Sequence, residues 1–145
     1  MAISIISAKQ FTTKLKATIQ ASGRLGFTDG TAKALDFHLG KFAKFAKDDE
    51  NGSLYLIIIG RADEDAFAIR ETSGYYYVPA KQMFDVLGFD YENNNIMFDL
   101  IRQITLDDDL QGQVFFMKQR TTRKNKKKDG DIDISVPLKS GRVNY

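Results

Sequence analysis

Between Lys118 and Lys128 the chain places seven basic side chains and no acid (KQRTTRKNKKK), in a protein whose formal net charge is only +2. Like charges packed together repel, so a run of this sign needs open solvent or an acidic partner. It follows directly on the aromatic pair Phe115 and Phe116. Cations beside rings suit a single nucleic-acid strand, because the cations meet phosphates and the rings stack on unpaired bases. A second group of this kind lies upstream, where Ala66–Arg70 and Tyr75–Val78 flank the turn Ser73-Gly74. A loop of two or four residues pairs these runs odd against even. Phe67, Ile69, Tyr76 and Val78 then face a core, and Ala66, Ala68, Arg70, Tyr75 and Tyr77 form a flat second face.

The candidate nucleic-acid-binding residues are therefore Arg70, Tyr75, Tyr77, Lys118, Arg120, Arg123, Lys124, Lys126, Lys127 and Lys128. Each group also has a plain structural reading. Another element can cover the tyrosine face. Lys118 and Arg120 can lie across a strand pair from Asp131 and Asp133 of the alternating run DIDISV, at about 0.2–1 kcal/mol per pair. The remaining cations then sit in a solvated loop.

Other chemistry finds little support. Cysteine is absent, which removes disulfides and thiolate metal sites, and His38 is the single histidine, placed to favour the C-terminal end of a helix. The acids cluster at 48–50, 63–65 and 107–109 without the spacing of a calcium loop, and adjacent turn acids are ordinarily solvated. Neither a P-loop nor a Gly-x-Gly-x-x-Gly nor a nucleophile elbow occurs. The expectation is a protein that is not an enzyme, with no cofactor and no metal.

The elements that must carry these residues follow from periodicity. At 145 residues, 43% hydrophobic and 28% charged, the chain suits one domain. Its middle third is acidic and both ends are basic. Strands are expected at 15–21, up to Phe27, at 41–46, 54–59, 66–70, 75–78, 96–104, 113–120 and 131–136. Short helices are expected from Thr28 or Asp29 to Phe37 and from Pro79 to Gly88. Leu54–Ile59 (LYLIII) is apolar on both faces and should be a central strand with both faces covered. The result is a single α+β domain over 1–145, mainly antiparallel curved sheet in the order ββα-ββββα-βββ, with a basic C-terminal hairpin, a flexible basic loop at 121–130 and a frayed tail at 138–145. By element order alone, the ββββα run is similar to the Whirly and PUR-alpha families of single-strand-binding proteins. Leu35-Asp36-Phe37 and Leu87-Gly88-Phe89 echo each other at an offset of 52, for which similar helix ends are a sufficient explanation.

The N-terminal run lacks the basic start and cleavage site of a signal peptide, and no apolar run is long enough for a membrane. A soluble cytoplasmic protein is expected. The functional expectation is non-catalytic binding of single-stranded nucleic acid. The alternative is a structural or protein-interaction module that forms a homo-oligomer with no nucleic-acid role.

Overall fold

The structure, a computed structural model, describes residues 3–6, 8, 12–104 and 112–124. The chain opens with β1 (Lys16–Ile19), whose alternating burial sends Ala17 and Ile19 inward. A three-residue turn ending at Gly23 (φ 89°) leads to β2 (Leu25–Phe27). Thr28 then caps α1 (Asp29–Ala34) by accepting the Thr31 N–H at 3.3 Å. This helix is shorter than the predicted run to Phe37. Asp36 turns left-handed (φ 55°), and a 3-10 turn covers Phe37–Leu39 before Gly40 ends it at φ 80°. β3 (Phe42–Lys47) and β4 (Leu54–Ile59) follow, then β5 (Phe67–Ala68), β6 (Arg70–Thr72) and β7 (Tyr75–Val78). The second helix, α2 (Lys81–Val86), starts two residues after Pro79, with Ala80 at its N-cap. Two long strands end the described chain, β8 (Asn94–Gln103) and β9 (Gln113–Arg123).

All strand pairs are antiparallel, in the order β5-β3-β4-β9-β8-β1-β2-β7-β6. The outermost members of that order, β5 and β6, are separated in the chain by Ile69 alone. Two peptide steps reach at most about 7 Å, so the sheet must curl until its edges meet. Ile69 continues the β3 ladder by donating to the Lys41 carbonyl at 3.1 Å. The 67–72 segment thus acts as one bent strand, paired first to β3 and then to β7. The wall is a nearly closed barrel of eight strands.

The barrel is built from two equivalent halves. Each has the order ββαββ, namely β1-β2-α1-β3-β4 and then β5/β6-β7-α2-β8-β9. Exchanging the halves reproduces every neighbour relation of the ring, with β2–β7 and β4–β9 as its two seams. Gly26 and Tyr77 lie directly opposite one another in the β2–β7 seam, each three residues beyond its hairpin glycine, Gly23 or Gly74. The Leu-Asp-Phe and Leu-Gly-Phe helix ends are equivalent too, because Asp36 and Gly88 both adopt positive φ (55° and 84°). The predicted ββββα block therefore divides between the halves, and its strands lie in the wall in the order β4-β3-β5/β6-β7.

The interior is filled by alternate residues of the strands other than β6, whose three residues are exposed, and by the helical elements that follow β2 and β7. Phe84, Phe98, Phe115, Leu25, Leu35, Leu56 and Val78 are fully buried. Edge-to-face rings link Phe67, Phe45, Phe84, Phe89 and Phe98 across one part of the core, with Phe27, Phe37 and Tyr76 in another. Such geometry adds about 0.5–1.5 kcal/mol per pair beyond area burial. As predicted, Leu54–Ile59 lies between two strands, β3 and β9, with Leu56, Ile57 and Ile58 all buried.

The last described strand runs further than the predicted 113–120. β9 pairs with β8 from Val114 to Arg123 and with β4 from Gln113 to Phe116. Residues 121–123, expected in the flexible loop, are therefore strand. Residues 125–145, with the proposed partner strand at 131–136, the remainder of the basic loop and the tail, lie outside the described residues. Among the described residues no helix is long and apolar enough to cross a membrane.

Candidate nucleic-acid interface

The β6–β7 hairpin has the two-residue turn that produces an aromatic outer face. Arg70 lies opposite Tyr77 and Thr72 opposite Tyr75, so these four share the outside, while Phe67, Ile69 and Tyr76 pack against the core. The Tyr75 and Tyr77 rings are nearly parallel, 19° apart with centroids at 6.2 Å. The Arg24 guanidinium lies 4.2 Å from the Tyr77 centroid. The Tyr75 hydroxyl reaches over Gly26 and bonds the Gln20 amide. Gly26 is required by that contact, since a Cβ there would overlap the hydroxyl. Partial burial holds the Tyr75 phenol above its usual pKa, against the opposing pull of nearby Arg24. Both tyrosines remain half-buried on the outer wall, not sealed beneath another described element.

Cross-strand register carries this face a long way round the barrel. Arg70 is opposite Tyr77, Tyr77 opposite Gly26, Gly26 opposite Thr18, Thr18 opposite Met97 and Met97 opposite Arg120. Residues directly opposite share a face, so these six form one unbroken outer row from β6 to β9. At about 4.8 Å per strand the row spans roughly 24 Å. Lys118 lies one outward position along β9, opposite Asp99. Arg120 holds the same carboxylate through two contacts, Nε–Oδ2 and Nη2–Oδ1, both 3.1 Å. The acid beside Arg120 is thus on β8. Asp131 and Asp133 lie outside the described residues.

The remaining candidates separate from this row. Arg123 lies opposite Asn94 at the far end of the β8–β9 pair, close enough to Asp90 to help hold that carboxyl below its ordinary pKa, behind the larger effect of the Asn93 side-chain hydrogen bond. Lys124 donates its Nζ to the Tyr91 carbonyl at 2.9 Å and is half-buried there. Arg123 and Lys124 are therefore tied to the turn before β8, four strands round the wall from Tyr75 and Tyr77. Lys126, Lys127 and Lys128 lie outside the described residues. His38 is exposed on the 3-10 turn. Among the described residues no group of three or more histidine, cysteine or acidic side chains could hold a metal ion.

Sequence reasoning missed Arg24, Gln20 and Gly26, because the strand that meets β7 comes from the other half of the chain. The three-residue spacing of Gly26 from Gly23, matching that of Tyr77 from Gly74, was the available signal. The chain matches no protein-family model, no curated protein and no solved structure.

Proposed function

We propose that this protein is a non-catalytic binder of single-stranded nucleic acid, with the outer row from β6 to β9 as its track. The observation that supports the reading is the register itself, which runs from Arg70 through Tyr77 to Arg120 on one face. Tyr75 and Tyr77 would stack on unpaired bases, and Arg24, Arg70, Lys118 and Arg120 would meet the backbone. Arg123, Lys124 and Lys126–Lys128 would act on a strand that runs on past the end of β9. A cytoplasmic setting accords with the cysteine-free sequence. Stacking on an aromatic side chain contributes about 1–3 kcal/mol per base. Fluorescence anisotropy with a labelled oligothymidylate should therefore show at least about a tenfold loss for Tyr75→Ala with Tyr77→Ala. Binding equal to wild type, or no wild-type binding at low salt, would refute the proposal.

One observation favours the homo-oligomer reading. On the outer wall of β4, β8 and β9, Ile101 is 43% exposed and Tyr55 packs on Phe116 with centroids 5.7 Å apart, and Ile104, just past the end of β8, is 97% exposed. Sedimentation velocity of wild type and Ile101→Lys tests it: a wild-type dimer lost in the variant would support this face as a contact.

A further inference from the structure

Where β1 begins, the outer wall is indented by a groove of about 500 Å3, whose lining includes Lys14, Lys16, Asp99, Arg102 and Arg120. Arg120 holds the Asp99 carboxylate at two points, beside Lys14 and Lys16. Lys14 and Lys16 take part in no ion pair among the described residues. The Arg102 guanidinium packs 5.0 Å from the centroid of Phe115, the residue opposite it on β9. The start of β1 is pinned as well. Lys16 N–H donates to the Thr31 hydroxyl oxygen at 2.8 Å, and Thr31 is fully buried. The groove therefore has Arg120, fixed on Asp99, in its wall and two lysines at its lip. A concave surface with an excess of one sign of charge concentrates the field and attracts the opposite ion.

We infer that this groove binds a phosphoryl group, and that in the assembled complex it clamps one phosphate of the bound strand. Guanidinium and ammonium donors at several angles suit a tetrahedral phosphate. The clamp role rests on the single-strand reading above, whereas anion binding by itself does not. The groove lies between two and four strand spacings from Tyr77, about 10–19 Å round the wall. A stacked strand at about 3.4 Å per nucleotide crosses that distance in roughly three to six nucleotides. Affinity should rise with oligonucleotide length until the strand joins the tyrosines to the groove, and then level off.

The test compares wild type with Lys14→Gln/Lys16→Gln and with a control, Lys41→Gln/Lys47→Gln, on β3 and the residue before it at the opposite side of the ring. Two probes are used, inorganic pyrophosphate by calorimetry and a labelled ten-nucleotide oligothymidylate across a salt series. The groove variant should lose pyrophosphate binding, and its log–log salt slope should fall by about 0.7, the value for one lost phosphate contact on a single strand. The control should change neither. Equal losses in both variants would overturn the inference, because diffuse charge would then suffice. Tyrosine-dependent strand binding that is untouched in the groove variant would sink the clamp and leave the single-strand reading standing. Pyrophosphate binding that is lost in the groove variant, without any strand binding by wild type, would uphold an anion site for free phosphates and remove the single-strand reading. Binding of neither probe would end both.

Discussion

Thr31 offers a direct way to test how the first half of the barrel is locked. It is the buried polar residue that joins α1 to β1. Its Oγ1 accepts from Lys16 N–H at 2.8 Å, and lies 3.2 Å from the Lys16 carbonyl and 2.7 Å from Thr28 Oγ1. The ladder between β1 and the chain after β2 continues through Thr28 N–H to the Lys16 carbonyl at 3.4 Å. At Lys16 N–H, the Thr31 side chain takes the place of a backbone acceptor. Thr31→Val keeps the shape and removes the hydroxyl, which leaves a donor in a dry site unsatisfied. That costs about 1–3 kcal/mol. At roughly 3 °C per kcal/mol for a chain of this size, the melting temperature should fall by about 3–9 °C. Thr31→Ser keeps the hydroxyl and loses one methyl, at about 1 kcal/mol. Urea denaturation of the three proteins gives the order wild type, serine, valine. A valine variant as stable as wild type, or less harmful than serine, would refute the claim that the hydroxyl carries the junction.

Phe84→Ala should cost about 3–5 kcal/mol, since the ring is fully buried against Phe45 and Phe89, and the midpoint of urea unfolding measures it. Gly26→Ala should leave the fold intact, because this glycine has no positive φ, yet should drive the Tyr75 hydroxyl from its seat, visible as a lowered phenol pKa in ultraviolet titration. The Asp85 carboxyl is held below its usual range by hydrogen bonds, first from Lys81 and then from Tyr91, and Asp63 is held down chiefly by Lys44. A depressed folded-state pKa gives stability that is present above the unfolded value and disappears as pH falls through the folded one. Unfolding midpoints should therefore be flat from pH 7 to about 5 and decline below about 4, and Asp85→Asn should soften the decline; a midpoint that rises on acidification would contradict this.

Much of the wall was legible because alternation is a local signal. The β6–β7 hairpin could be assigned to its faces from Ser73-Gly74 and the flanking pattern, and LYLIII announced a strand covered on both sides. What stayed hidden was long-range pairing. Nothing in residues 113–123 states that one edge will meet β8 along its length and that the other will meet β4 at Gln113–Phe116. The length of α1 was overestimated because the apolar spacing continues through Phe37, while left-handed Asp36 breaks the helix before it. The repeated Leu-x-Phe was a trace of the two-half construction. A single shared triplet carries too little information to be told from coincidence. The tyrosine pair was foreseen, but its neighbours Arg24 and Gln20 were not, since they arrive from the other half.

Gly26 and Tyr77 occupy equivalent positions on the two sides of the β2–β7 seam. Two identical chains meeting on a twofold axis must place the same residue on both sides of it. Glycine on both sides would leave no ring at this place for Arg24 to cover or for Tyr75 to lie beside. Tyrosine on both sides would fill the space into which the Tyr75 hydroxyl reaches. Joining the halves in one chain releases them from that identity, so one can provide the ring and the other the vacancy that accommodates its neighbour. The pairing of Gly26 with Tyr77 is thus one that two identical chains could not build.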